Sequence, residues 1–214
     1  MYKNRLINII NLSFTCLYEK INGGLIVVEN EASLQLQLSA ILKTFGEQFL
    51  YTKEEVFSIE LEKPVVLTKG TFSKSNSTKA RIDIFLSIED IKENEITNCS
   101  IELKFFKKSN HREPNNRYDV FKDIHNLENY EEFSDFGFLL VATDHKHYVQ
   151  HAKYSQDTKD FDFRDNSYYT ACTTLVYRTK TPYGEPITLK NDYQFKWRTP
   201  VNGVSFMLLE VESY

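Results

Sequence analysis

Two short segments in the middle of the chain alternate polar and apolar residues at a period of two, which is typical of β-strands with one buried face. They span residues 81–85 and 101–105. In the second segment, Glu102 and Lys104 leave one face of the strand, and the apolar residues leave the other face towards a core. If the strand that carries Asp83 lies beside it, two carboxylates and one ammonium group share a small area.

Helical periodicity appears in three other segments, where apolar residues recur at spacings of three and four. These segments cover about residues 3–20, 30–45 and 116–130. Gly23 and Gly24 end the first helix, and Asn30 is suited to cap the second. The apolar stripe of the second helix consists of Leu34, Leu38, Ile41, Leu42 and Phe45.

Strand patterns occupy most of the remaining chain. The central ones cover residues 55–62, 79–88, 99–107 and 136–143. The last is an unbroken apolar run, which fits a strand buried on both faces. The order helix, three strands, helix, strand predicts an α/β fold with a mixed central sheet flanked by helices. Further strand patterns predict a β-rich C-terminal extension that joins the sheet edge, at 187–189, 193–197 and 204–211.

Composition fits a folded chain of ordinary type. The 214 residues are 41% hydrophobic, with seven Gly and five Pro, so we expect one folded domain over 1–214 and not a disordered or low-complexity protein. Its core covers about 29–144, and residues 145–214 complete the sheet or contact substrate. No apolar run approaches the roughly eighteen residues of a membrane span. The N-terminus, interrupted by polar residues, predicts an amphipathic helix and not a signal peptide.

Cysteine usage and net charge bear on the cellular compartment and on nucleic-acid binding. Cys16, Cys99 and Cys172 are far apart and lack CxxC spacing, which argues against disulfides and zinc and predicts a reducing cytoplasm. A net charge of −4 does not favour nucleic-acid binding. Basic residues nevertheless cluster locally: Lys104, Lys107, Lys108, His111 and Arg112 form one group, and Lys190, Lys196 and Arg198 form another.

The strand pair also carries a family resemblance. An Asp on one strand, a connection of eighteen residues, and Glu-x-Lys on the next strand resemble the PD-(D/E)XK nuclease superfamily. That superfamily includes many restriction endonucleases, Holliday-junction resolvases and repair exonucleases. Asp83 matches its first acidic ligand, Glu102 its second and Lys104 its lysine. The proline of the family's name is absent, because Ile82 precedes Asp83.

The resemblance implies a restriction-endonuclease-like αβββαβ core and a Mg²⁺-dependent deoxyribonuclease, with Mn²⁺ as a substitute metal. Asp83, Glu102 and the backbone carbonyl of Leu103 would bind the metal, since oxygen ligands suit hard cations. Lys104 would orient the water or stabilise charge on the phosphate. Glu31 on the preceding helix is a fourth candidate, with Glu29 as its rival. Both also fit first-turn acids that complement the helix dipole.

Implied biological roles are restriction, phage defence or recombination, with DNA as partner, no membrane, and a homodimer as one arrangement that the superfamily uses. Two alternatives stay open: a non-catalytic regulatory subunit on the same scaffold, and an RNase. The structural alternative for the site itself is a row of ordinary exposed charges on the solvent face of an antiparallel sheet.

Two further groups of polar residues have simpler interpretations. Asp119, Lys122 and Asp123 predict a solvated helix face. The histidines at 145, 147 and 151 follow the apolar strand and suit a substrate-contacting loop better than a zinc site, because no cysteine accompanies them.

Overall fold

The computed structural model describes residues 1–68, 78–110, 112–150 and 154–213. The helices are α1 (Tyr2–Asn22), α2 (Glu31–Gln48), α3 (Glu113–Glu128) and the short α4 (His147–Gln150). The long strands are β1 (Glu55–Val66), β2 (Lys79–Asp90), β3 (Glu95–Phe106) and β4 (Phe136–Thr143). The C-terminal strands are β5 (Tyr168–Tyr169), β6 (Thr174–Leu175), β7 (Ile187–Thr188), β8 (Tyr193–Gln194), β9 (Trp197–Arg198) and β10 (Ser205–Glu212).

Six strands form one mixed sheet in the order β1-β2-β3-β4-β10-β9. The β3 and β4 strands are parallel and are joined through α3, whereas the other neighbours are antiparallel. The predicted α/β fold with a mixed sheet and flanking helices is therefore confirmed. Two small sheets, β5 with β8 and β6 with β7, complete the C-terminal part.

Local sequence signals account for where α2 begins. The Asn30 side chain accepts a hydrogen bond from the Ser33 amide at 2.8 Å, and the Ser33 hydroxyl accepts one from the Asn30 amide at 3.1 Å. This reciprocal cap satisfies two backbone donors that a helix start leaves free. The apolar stripe then buries Leu34, Leu38 and Leu42. The predicted cap and helix are both confirmed.

Both faces of the sheet are covered. Helices α1 and α2 pack on one face, and α3 with the C-terminal segment packs on the other. Along β4, Phe138 and Leu140 enter the α1/α2 core, whereas Leu139 and Val141 enter the α3 core. The prediction of a strand buried on both faces is confirmed.

The β2–β3 hairpin opens at one end. Its backbone pairing stops at Ile84 opposite Ile101, although both strands continue. Ile84 belongs to the α1/α2 core, but Ile82, two residues earlier, belongs to the α3 core. Since alternate residues of a regular strand share a face, β2 must turn at Asp83. The turn leaves a gap between the two strands.

Several element boundaries differ from the prediction. The β1 strand continues to Val66 and includes Pro64, which an edge strand tolerates because no neighbour needs its amide. The α3 helix begins earlier, at Glu113, with Pro114 in its first turn. The β10 strand joins the sheet but lies one strand inside the edge, which the two-residue β9 forms.

Two of the histidines named above, His111 and His151, lie outside the described residues. In the part of the chain that is described, no helix has the length and apolar character needed to cross a bilayer. The three cysteines are free: Cys99 is buried, Cys16 is partly buried and Cys172 is exposed.

Candidate functional site

Asp83 lies at the gap between β2 and β3. Its Oδ2 atom accepts a hydrogen bond from the Leu103 amide at 2.7 Å. Because backbone pairing has ended at Ile84, the carboxylate takes the place of a strand neighbour and satisfies a β3 donor. The side chain of Asp83 is therefore fixed against β3 at the position where the strands separate.

Glu102 and Lys104 lie on the face of β3 that α3 covers. The Tyr130 hydroxyl donates to Glu102 Oε1 at 2.9 Å, and the Lys104 ammonium pairs with Asp123 Oδ2 at 2.8 Å. Lys104 also donates to the Leu103 carbonyl at 2.9 Å. Glu102 is only 6% exposed. The interpretation of these residues as ordinary exposed charges is wrong.

The prediction of a solvated face on α3 is also wrong. Asp119, Lys122 and Asp123 are all buried. The reason is that α3 is covered twice, by the sheet on one side and by the C-terminal segment on the other. Phe121 of α3, for example, packs edge-on against Phe161 and Phe195 of that segment. These polar residues on α3 therefore face the sheet or the C-terminal segment and not solvent.

The start of α2 reaches the same site from the opposite layer. Gln35 donates from Nε2 to the Asp83 carbonyl at 2.6 Å and to Glu62 Oε1 at 3.0 Å. Glu31, one turn earlier, lines the same pocket as Asp83 and Glu102. Glu29 is exposed, and its amide donates to the Ser33 hydroxyl. The structure thus brings Glu31, and not its rival Glu29, to the site.

These side chains surround a pocket of about 250 Å³, here called the carboxylate pocket. It is lined by Glu31, Lys79, Ala80, Arg81, Asp83, Glu102, Lys104, Asp123, Asn126 and Tyr130. A second pocket of about 330 Å³, here called the outer pocket, shares Glu31 and Lys104 with the first. The outer pocket is completed by Phe105, Phe106, Asn110, Arg112, Asn116, Asp119 and Tyr183.

The electrostatics of the carboxylate pocket favour a bound cation or proton. Burial raises the pKa of Glu102 well above its usual range, and the neighbouring Asp83 and Asp123 charges raise it further. Burial also raises the pKa values of Asp83 and Glu31. These carboxylates are thus short of positive charge.

The same surroundings favour the charged form of Lys104, whereas they favour the neutral forms of the carboxylates. Burial alone would lower the pKa of its ammonium group, but the carboxylates around it outweigh burial and raise that pKa above its ordinary value. Asp123 makes the largest of these carboxylate contributions. Lys104 is therefore a permanent cation at neutral pH and not a general base.

The donor set fits a hard divalent cation. Each of Asp83 and Glu102 uses one carboxylate oxygen in a hydrogen bond, and the second oxygen accepts none from the described residues. The Leu103 carbonyl, the third predicted ligand, accepts a hydrogen bond from the Lys104 ammonium, and Leu103 is not among the residues that line the carboxylate pocket. No group of three or more His, Cys, Asp or Glu side chains within the described ranges is arranged to hold a metal. Two carboxylates would leave the remaining positions of an oxygen-liganded ion to water and other oxygen donors.

Sequence reasoning missed Tyr130 and Gln35 as site residues and assigned Asp123 to solvent. A signal for the α3 residues was present. Asp119, Asp123 and Asn126 recur at spacings of four and three, which places them on one face of α3, and Tyr130 follows two residues after the helix ends. That face is polar but is directed at the sheet. For Gln35 the signal is its spacing of four from Glu31, which places both residues on the same side of α2.

The histidines predicted to contact substrate lie in a different environment. His147 contacts Arg117 at 2.8 Å and Glu113 at 3.0 Å, and its ring lies 5.4 Å from that of His145. Neither histidine lines the carboxylate pocket or the outer pocket.

Comparison of the chain with protein-family models, with curated proteins and with solved structures finds no match in any of the three.

Proposed function

We propose that this protein is a divalent-metal-dependent nuclease that hydrolyses phosphodiester bonds in DNA. One observation carries the proposal: Asp83, Glu102 and Lys104 line a single pocket at the gap between two strands. The element order of the core agrees with the restriction-endonuclease-like fold of the superfamily that these residues resemble. Their buried positions and raised carboxylate pKa values are typical of functional sites and unusual for surface charges.

Each residue has a distinct task in this proposal. Asp83, Glu102 and the Leu103 carbonyl would hold Mg²⁺ or Mn²⁺, which supplies Lewis acidity and lowers the pKa of a bound water. Lys104 stabilises negative charge that develops on the phosphate, because its ammonium group is fixed and stays protonated. Glu31 shares the pocket and adds a further carboxylate close to the lysine.

A regulatory subunit without catalytic activity is the second candidate, and the net charge of −4 favours it, because acidic proteins are poor general binders of nucleic acid. This candidate does not account for a complete Asp, Glu and Lys set in one pocket. It predicts that no substitution in the pocket changes any cleavage rate.

Plasmid cleavage separates these two functions. Supercoiled DNA is incubated with the protein and Mg²⁺ or Mn²⁺, beside the variants Asp83→Asn and Lys104→Met. Lys92→Met is the matched control, since Lys92 is exposed in the turn at the far end of the hairpin. We expect metal-dependent nicking by the wild type and the control, and a loss of about 100-fold or more in both pocket variants.

Cleavage that survives both pocket substitutions would assign the activity to another site or to a contaminant. Absence of cleavage of DNA by wild-type protein would favour the regulatory subunit. Cleavage of RNA instead of DNA would keep the site and change the substrate. Circular dichroism of each variant establishes that a lost activity does not reflect a lost fold.

A further inference from the structure

Two arginines stand apart from the others in this chain. Five of the seven arginines form ion pairs with carboxylates: Arg5, Arg117, Arg164, Arg178 and Arg198. Arg81 and Arg112 are exposed, and neither has a carboxylate within ion-pair distance among the residues that the structure describes. Arg112 makes one long hydrogen bond, 3.4 Å to the Tyr183 hydroxyl.

These two arginines lie in two neighbouring pockets that share residues of the proposed catalytic set. Arg81 lines the carboxylate pocket and Arg112 lines the outer pocket. The two pockets meet at Glu31 and Lys104, which line both. Lys104 therefore lies at the boundary between the two pockets, here together called the cleft, and neither pocket is a closed cavity.

The cleft is lined by many carboxylates, so a polynucleotide can enter only if cationic side chains offset their negative charge. Glu31, Asp83, Glu102, Asp119 and Asp123 all line the two pockets and repel phosphate. Lys104 is already paired with Asp123. Arginines that have no carboxylate partner among the described residues are suited to bind phosphates, because the guanidinium group presents paired donors to phosphate oxygens.

We propose that the cleft binds one DNA strand on both sides of the scissile phosphate, with Arg81 and Arg112 contacting flanking phosphates. This inference rests on the proposed function and deepens it, because a strand that continues in both directions is cut at an internal bond. The enzyme is then an endonuclease that needs no strand end. Tyr183, 41% exposed at the rim of the outer pocket, offers a ring on which an unpaired base can stack.

Cleavage of a substrate without ends tests whether the enzyme cuts internal bonds or needs a strand end. Covalently closed circular single-stranded DNA and the same DNA in linear form are compared with Mg²⁺. We expect the circle to be cut at a rate similar to that of the linear molecule. Linear DNA degraded from its ends beside an intact circle would overturn the endonuclease inference and leave the nuclease function standing.

Binding tests the two arginines independently of cleavage. A fluorescein-labelled thymidine oligonucleotide is titrated by anisotropy in Ca²⁺, with the wild type, Arg81→Gln, Arg112→Gln and the control Lys53→Gln. Lys53 is 91% exposed and lines neither pocket, so its variant removes one charge elsewhere. We expect several-fold weaker binding for each arginine variant only, and a salt dependence shallower by about 0.7 per arginine.

Arginine variants that bind as the control does would overturn the assignment of Arg81 and Arg112, whether or not DNA is cleaved. If the arginine variants bind more weakly as expected but the wild-type protein does not cleave DNA, the strand-binding cleft is supported and the catalytic proposal is rejected. The two failures are thus distinguishable. The melting temperature of each variant accompanies these measurements, and exposed arginines are expected to leave it unchanged.

Discussion

Two glutamates of this protein, Glu128 and Glu102, are similarly buried but have very different surroundings. Glu128 at the end of α3 is fully buried, and its carboxylate accepts hydrogen bonds from the amides of Lys190 and Asn191 and from the Tyr193 hydroxyl. Glu102 on β3 is 6% exposed and accepts one such bond, from the Tyr130 hydroxyl. Both glutamates thus have a tyrosine partner at 2.9 Å, but only Glu128 has a full set of donors.

The difference separates a structural acid, Glu128, from one whose surroundings are typical of functional sites. Glu128 ties the loop between β7 and β8 to α3 through donors that match its charge, so its burial costs little. One oxygen of Glu102 accepts no hydrogen bond from the described part of the chain, and the side chain lies beside three other carboxylates and one lysine. A buried charge in this condition is costly, and proteins retain such costs mainly at functional sites.

The same chemical change at the two positions gives the largest expected contrast in activity. Glu102→Gln removes a proposed metal ligand, and we expect the rate of DNA cleavage to fall by about 100-fold or more. Glu128→Gln leaves the pocket lining unchanged, and we expect cleavage per folded molecule to stay within about twofold of wild type. Plasmid nicking in Mg²⁺, normalised to the folded fraction from circular dichroism, measures both.

Equal losses in the two variants would remove the functional distinction between these glutamates. A normal rate for Glu102→Gln would leave the nuclease proposal without its second acidic residue.

The next contrast is in the free energy of unfolding, which we expect Glu128→Gln to lower. The amide has only one acceptor oxygen, and its NH₂ group would face the Lys190 amide, which donates to both carboxylate oxygens. Because hydrogen bonds to a charged acceptor contribute about 1.5–3 kcal/mol each, we expect a loss of about 2–3 kcal/mol in the free energy of unfolding. Urea denaturation measures this loss. Glu47→Gln, on the exposed face of α2, is the control and should change stability by less than about 0.5 kcal/mol.

Much of the fold could be predicted from the sequence because its signals are local. The cap at Asn30, the apolar stripe of α2 and the unbroken apolar run of β4 each depend on a few neighbouring residues. Asp83, Glu102 and Lys104 meet in one pocket, as the strand patterns predicted. The boundaries of β1 and α3 were less accurate, since edge position and helix entry depend on packing partners.

The environment of the site could not be predicted, because it depends on contacts between distant parts of the chain. Asp123 has the sequence pattern of a solvated helix residue, but it is buried against the sheet, where it pairs with Lys104 of β3. The turn of β2 at Asp83 depends on a backbone amide twenty residues away, at Leu103. Nothing in the sequence near Asp83 marks the loss of strand pairing there.

Glu102→Gln should have the opposite effect on stability from Glu128→Gln. Burial raises the pKa of Glu102 in the folded protein above its value of about 4.3 in the unfolded chain, so the folded state binds this proton more tightly. Wild-type stability is therefore lost as pH rises from the unfolded value towards the folded pKa, where the carboxylate becomes charged in its buried site. The variant has no carboxylate at this position and avoids that loss. We expect it to be about 1–2 kcal/mol more stable at pH 7 in EDTA, with little difference near pH 4. Thermal melts at the two pH values measure the effect. A stability gain of equal size at both pH values would mean that packing, and not the buried charge, distinguishes Glu102 from Glu128.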